Sequence, residues 1–276
     1  METKCVPFWK ASACGNDFLI IDGKFAPAQI EEFTRRICDR YNGVGADGVE
    51  WVYPGEKDFQ LRIRLINADG SHAELSGNGT RCVASWYVAQ NHVAQGNAVR
   101  IATDAGVKIC ELTGHNGNEF SFRTGMGVPV VHPELSISVQ GKDMRGVPVS
   151  IGNPQFITFI DEFPHDWQMI AAEIQTDRRH FPEGVNIEFV KVLSETDIAI
   201  RIFERGAGET MSSGTGSSAS AAAAIQTKGV QPKLNVHAPG GSQIVDWESS
   251  ATGHGELFLA GPARLVCRGE YFLSVV

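Results

Sequence analysis

Two short stretches decide how this chain is read: Glu74-Leu75-Ser76-Gly77-Asn78-Gly79-Thr80-Arg81-Cys82 and Thr210-Met211-Ser212-Ser213-Gly214-Thr215-Gly216-Ser217-Ser218. Each contains Ser-Gly-x-Gly and leads into a helix-like run, Val83 to Ala89 and Ala219 to Ile225. Serine suits a helix cap, and glycine lets the backbone approach a ligand closely. The first N–H groups of a helix have no internal acceptor and bind anions well. The pattern predicts helices over about 80–91 and 215–227. Their N-termini are expected to hold one carboxylate-bearing substrate.

Working outward, the two stretches belong to a longer repeat. Gly15-Asn16 recurs as Gly152-Asn153, Asn67 maps onto Glu204, and Ser76 maps onto Ser213, always 137 residues apart. Three positions at one offset argue for duplicated halves. Gly125, Gly127, Pro129, Pro133 and Gly141 cluster at the expected junction. The expected division is a first half over 1–124 and a second over 125–262. Around each helix the pattern is mostly strands. Residues 59–67 alternate, and short runs near 98–103, 107–112 and 119–123, split by Gly and Asn turns, read as strands, as do 184–190 and 197–203. Many strands with one small-residue helix point to a curved sheet wrapped round that helix. Ile30, Phe33, Ile37 and Tyr41 predict a helix over 28–41, and another is expected at about 166–175.

Several function classes drop out. Gly43-Val44-Gly45-Ala46-Asp47-Gly48 matches a dinucleotide-binding string, but it follows a helix pattern and precedes a strand, so it reads as a tight turn. The chain has 276 residues, 42% of them hydrophobic, and a net charge of −8, which argues against nucleic acid or an anionic membrane as partner. No apolar run reaches membrane-spanning length, and Met1-Glu2-Thr3-Lys4-Cys5 has no leader pattern. The six cysteines are scattered without a pairing pattern, which points to free thiols and a cytoplasmic location. The eight histidines have no ligand spacing, and no metal site is read. Cys14 and Cys82 flank the motifs and are read as buried, inert thiols.

Duplicated halves would bring Ser76 and Ser213 to opposite sides of a shared cleft, with Asn16, Asn67, Asn153, Asn186, Glu204 and Arg205 around it. That set suits an amino acid: helix N-termini and Arg205 for the carboxylate, carboxamides and Glu204 for the ammonium. Two opposed proton-transfer groups suit inversion at a carbon.

These residues resemble the diaminopimelate epimerase family. The resemblance covers nearly the whole chain. It rests on Gly15-Asn16-Asp17-Phe18, Gly43 to Gly48, Asn67-Ala68-Asp69-Gly70-Ser71, Ser76 to Cys82, Gly152-Asn153-Pro154, Gly184-Val185-Asn186, Glu204 to Thr210 and Gly214-Thr215-Gly216. It implies an α/β fold of two pseudo-symmetric halves, each a mostly antiparallel sheet rolled around a central helix, with a last strand over 263–276 returning to the first half. It also implies a homodimer that uses no metal, pyridoxal phosphate or other cofactor and interconverts LL- and meso-diaminopimelate. Substrate binding would fall to Asn16, Asn67, Gly77, Asn78, Asn153, Gln155, Asn186, Arg205, Gly214 and Thr215, and catalysis to Ser76, Ser213 and Glu204. The sequence departs from the family where the chemistry lies. The two acid/base positions hold serine in place of cysteine, and Gln155 stands where the family has histidine. A hydroxyl is a far weaker acid than a thiol and needs an adjacent base. Two alternatives therefore stay open: an amino-acid-binding homologue without turnover, and a racemase or dehydratase for another amino acid.

Overall fold

The computed structural model describes residues 5–250 and 253–273. The N-terminal stretch read for a leader (residues 1–4) and the last three residues of the expected final strand lie outside them. The chain divides into two compact units, Met1–Thr124 with Gly261–Val276, and Gly125–Ala260.

The first unit contains β1 (Cys5–Ala13), β2 (Asn16–Asp22), α1 (Ile30–Cys38), β3 (Gly48–Glu56), β4 (Phe59–Asn67), β5 (His72–Ala73), α2 (Gly77–Asn91), β6 (Ala98–Thr103), β7 (Gly106–Asn116) and β8 (Glu119–Gly127). β1 and β2 form a hairpin, β2 runs parallel to β3, β3 pairs antiparallel with β4, and β4 runs parallel to β6. The second unit repeats this order with β9 (Val130–Val131), β10 (Leu135–Val139), β11 (Lys142–Ser150), β12 (Pro154–Phe159), α3 (Trp167–Gln175), β13 (Asn186–Ser194), β14 (Asp197–Glu204), β15 (Gly208–Thr210), α4 (Gly214–Lys228), β16 (Lys233–Ala238) and β17 (Gly241–Ser250). There β11 and β12 form the hairpin, β12 is parallel to β13, β13 antiparallel to β14, and β14 parallel to β16. The final strand, β18 (Gly253–Phe272), pairs with β17 through its first half and with β1 through its second.

Two local expectations change. Helix α1 stops at Cys38 rather than reaching residue 41, because the Asp39 carboxylate accepts from the Tyr41 and Asn42 N–H groups and turns the chain; Tyr41 is then fully exposed and no part of the apolar face. The glycine- and proline-rich stretch after residue 124 is not a bare connector. Ile137 and Val139 alternate into the core, and Gln140 and Gly141 both take positive φ (52° and 72°), closing a hairpin between β10 and β11.

Each unit has its sheet covered on both faces. The inner face packs on the long helix: Cys82, Val83, Ala84 and Val88 of α2 meet side chains from β1, β2, β3, β4, β6, β7, β8 and β18. Around α4 the same role falls to Ala219 and Ala221 through Ala224, all fully buried. An all-round buried helix of alanine and serine lets the strands close in on it from every side. The outer faces carry the short helices. Ile30, Phe33 and Ile37 of α1 pack on Leu19, Val49 and Trp51, while Trp167, Ala171 and Ile174 of α3 pack on Phe156, Ile187 and Phe189.

Strand alternation sends one acid in each unit to the inner face. Val49 and Trp51 point outward and Val52 inward, so Glu50 points inward; Glu188 lies between outward Ile187 and Phe189. Both are completely buried. Burial alone lifts the Glu50 carboxyl from 4.5 to about 8.

Two expectations follow from this packing. Ala222→Leu adds volume where no space exists and should lower stability by about 1–3 kcal/mol, read from denaturant midpoints. Glu50 binds its proton more tightly folded than unfolded. Its contribution to stability is therefore complete below pH 4.5 and is lost as pH rises through about 8. In Glu50→Gln that fall should disappear, leaving the variant relatively more stable at pH 8 than at pH 5, by up to about 4 kcal/mol. Parallel denaturant titrations at the two pH values check it.

Candidate functional site

The two serines are the N-caps of the buried helices. Ser76 Oγ accepts from the Gly79 N–H at 3.0 Å and Ser213 Oγ from the Gly216 N–H at 3.2 Å. These caps use the third N–H of each helix. Those of Gly77 and Asn78, and of Gly214 and Thr215, sit at the first two positions, where helix geometry supplies no internal acceptor. Both helices also end alike, on a left-handed residue: His92 at φ 52° and Gly229 at φ 67°.

In the first unit, Asn16 starts β2, Gly48 starts β3 and its cross-strand partner Asn67 ends β4, so all three lie at one end of the sheet. The preceding turn is tight, with Cys14 and Gly15 at φ 47° and 86°. Asn78 Nδ2 donates to Asn16 Oδ1 at 2.7 Å, and Asn16 Nδ2 donates to Asp47 Oδ2 at 3.1 Å. Arg40 bridges Asp47 and Asp17, at 2.7 and 2.8 Å, and Lys10 adds a second ion pair to Asp17 at 2.8 Å. The Gly43–Gly48 string is thus a turn that delivers Asp47 behind Asn16. Buried Arg81 donates to Asn78 Oδ1 and lies 3.8 Å from Cys14 Sγ. Asn67 is tied locally, its Nδ2 donating to Ser71 Oγ at 3.0 Å.

The second unit repeats the arrangement with other side chains. Asn153 Nδ2 reaches Thr215 Oγ1 at 3.5 Å, the counterpart of the Asn78–Asn16 bond, and Ser213 Oγ lies 3.3 Å from the same hydroxyl. Asn186 opens β13; its Oδ1 accepts from the Arg205 backbone N–H at 2.8 Å. The Arg205 guanidinium is held by the Glu183 carbonyl and is exposed. Glu204 ends β14 and accepts from Thr210 Oγ1 at 3.0 Å. Burial raises the Glu204 carboxyl, and the hydroxyls of Thr210 and Ser213 partly offset this. Buried Gln155, with its amide oriented to satisfy its neighbours, donates to Glu188 Oε1 at 2.8 Å and accepts from Asn186 Nδ2 at 3.1 Å. Gln155 therefore ties the two ends of this half-site together.

Glu50 and Glu188 were not among the sequence candidates, yet each lies against a capping turn. A side-chain carbon on Gly79 would overlap Glu50 Oε1 and come 3.2 Å from Ser76 Cβ. One on Gly216 would come 2.7 Å from Glu188 Oε1 and 3.2 Å from Ser213 Cβ. The second glycine of each Ser-Gly-x-Gly is therefore the gap that a carboxyl group fills. Burial first, and then the charge of Glu204, push Glu188 well above the ordinary carboxylate value. A sequence signal existed: one acid inside each apolar strand, in Val49-Glu50-Trp51-Val52 and Ile187-Glu188-Phe189-Val190.

The thiols close to the motifs are poor nucleophiles. Burial raises Cys14, against a partial lowering by Arg81, and raises Cys82 far above its usual range. Among the described residues no group of three or more His, Cys, Asp or Glu could hold a metal ion, and no helix is long and apolar enough to cross a membrane.

The chain is similar to known proteins along nearly its whole length. The family model described as diaminopimelate epimerase matches residues 8–131 and 147–266. A diaminopimelate epimerase of Moorella thermoacetica is 34% identical over 282 residues, covering 97% of this chain and 99% of the relative. Another, of Methanothermobacter thermautotrophicus, is 34% identical over 280 residues, covering 95% and 97%. Among solved structures, a PhzF-family phenazine biosynthesis protein of Bacillus anthracis superposes with a TM-score of 0.72 at 18% identity, covering 98% of this chain and 100% of that one. A hydroxyproline epimerase of Agrobacterium vitis, with trans-4-OH-L-proline bound, gives 0.69 at 13% identity, covering 98% and 92%. These two share the fold. With a family model spanning most of both units and full-length relatives at this identity, the chain belongs to the diaminopimelate epimerase family.

Proposed function

We propose that this protein interconverts LL- and meso-diaminopimelate without a cofactor, by proton transfer from two sides of one α-carbon. The observation that carries the reading is the repeated constellation in a chain of this family: in each unit a helix-capping serine and a side-chain hydrogen bond between residues 62 apart in sequence, Asn78 to Asn16 and Asn153 to Thr215. Helix N-termini suit the α-carboxylate, whose negative charge grows as the α-proton leaves. Asn16, Asn67, Asn153, Gln155, Asn186 and Arg205 supply the remaining polar contacts. In this reading Ser76 and Ser213 are the residues that take and return the proton, and Glu204, whose carboxyl is raised by burial and lowered in part by the Ser213 hydroxyl, assists Ser213.

The serines set the pace of this chemistry. A hydroxyl holds its proton far more tightly than a thiol, so it transfers protons only with a base beside it. The presence of serine at both positions also favours a second reading, a protein that binds an amino acid without turning it over. Incubation with LL- or meso-diaminopimelate in deuterated water separates the two. An epimerase places deuterium at the α-carbon; a binding protein gives a calorimetric binding signal and no deuterium. Changing Ser76→Cys together with Ser213→Cys should raise the exchange rate by about 10²–10⁴-fold, the usual worth of acid–base groups of matched acidity. Absence of exchange in both forms would sink the epimerase reading.

A further inference from the structure

The first unit offers Ser76 no counterpart of Glu204, because Asn67 occupies that position at the end of β4. It offers Glu50 instead. Both Glu50 oxygens are buried without a hydrogen-bond partner, and the Oε1 atom lies in the gap at Gly79, the residue whose N–H Ser76 Oγ caps. An unpartnered carboxyl in a core is costly and calls for a reason. The same placement in the second unit, Glu188 at Gly216, whose N–H Ser213 Oγ caps, makes it a built feature of the repeat rather than an accident of one strand. Glu188 differs in having Gln155 bonded to it, whereas the residue in the equivalent place of the first unit is Phe18, which is apolar. Glu50 is thus left without a partner against Gly79, whose N–H is capped by the Ser76 hydroxyl.

We infer that Glu50 is a positioning residue that acts through Ser76, taking up the serine hydroxyl proton as Ser76 Oγ takes the α-proton of the substrate. This rests on the epimerase reading. The step balances as follows. The Cα–H bond breaks and leaves its electron pair on Cα, delocalised into the substrate carboxylate. The proton forms a new bond to Ser76 Oγ while the original hydroxyl proton moves to Glu50. In the proposed two-base step Ser213 gives its hydroxyl proton to Cα and regains one from protonated Glu204. Glu50 ends one proton richer and Glu204 one poorer, and each re-equilibrates with solvent; the reverse reaction exchanges the roles.

The surroundings of Glu50 suit a proton store. Ile20 of β2 and Leu65 of β4 flank it across the sheet, and Cys82 of α2 is the titratable group whose thiol feels its charge. Arg81, Cys14 and Asp17 act on Cys82 in turn, while the rise in Glu50 itself, to about 8, has burial as its sole cause. A base whose proton affinity sits near working pH is the efficient kind.

The test follows α-deuterium exchange separately from LL- and meso-diaminopimelate, which present the α-proton to opposite sides. In Glu50→Gln, exchange from one isomer should fall at least about 100-fold at unchanged KM, while the other still exchanges. Glu204→Gln should show the opposite preference. A purely structural Glu50 would move both isomers together, so equal rates for parent and variant, or an equal loss in both isomers, overturns its role. Exchange in neither isomer by the parent protein overturns the epimerase reading and this role with it. Should the variant not fold, the pH profile of the parent decides. A rise through about pH 8 for one isomer alone supports the role, and identical profiles for both overturn it.

Discussion

A helix can be wrapped by strands on every side only if its side chains are small, and most of this molecule follows from meeting that condition twice. Alanine and serine in α4, and the small residues that begin α2, let the sheet close to within packing distance of the helix backbone. The price of such burial is a helix end that must also be satisfied inside or at the rim of the sheet. Ser76 and Ser213 do this for one N–H each, at Gly79 and Gly216. The structural need and the proposed site therefore share Ser76 and Ser213.

The ends of the strands complete what the caps begin. In each unit the parallel–antiparallel order puts the start of one strand, the start of its parallel neighbour and the end of the next at the same end of the sheet. Asn16, Asp47 and Asn67 arrive there in one unit and Asn153, Asn186 and Glu204 in the other. Topology gathers them although they are far apart in sequence. The repeat is conserved in its hydrogen bonds rather than in its residues: Asn78 with Asn16 becomes Thr215 with Asn153, and the same turn is held.

Much of this was legible from residue order. The 137-residue offset, the two Ser-Gly-x-Gly turns and the strand alternation of 59–67 required only periodicity and turn chemistry. Helix α1 was placed correctly at its apolar residues but drawn too long, because Tyr41 fits a helical spacing while Asp39 has already turned the chain. The hairpin of β10 and β11 was hidden by the glycines and prolines around it, although Ile137 and Val139 alternate as a strand should. Local signals name residue types well and element ends poorly, since ends depend on which side chain captures a free backbone group.

The amino-acid sequence by itself determined the duplicated α/β plan, the capping serines and their glycine turns, because these depend on spacing within a few residues and on one repeated offset. Only the tertiary structure decided that Glu50 and Glu188 lie beneath those turns. A lone acid in an apolar strand reads from sequence as an ordinary exposed charge. Its meaning appears only when strand pleat, the gap at Gly79 or Gly216 and the helix above it are assembled together. The same holds for Gln155, whose partners Glu188 and Asn186 come from the neighbouring strand. Proton affinity in such a place is set by what surrounds the group in space, and sequence distance does not record that.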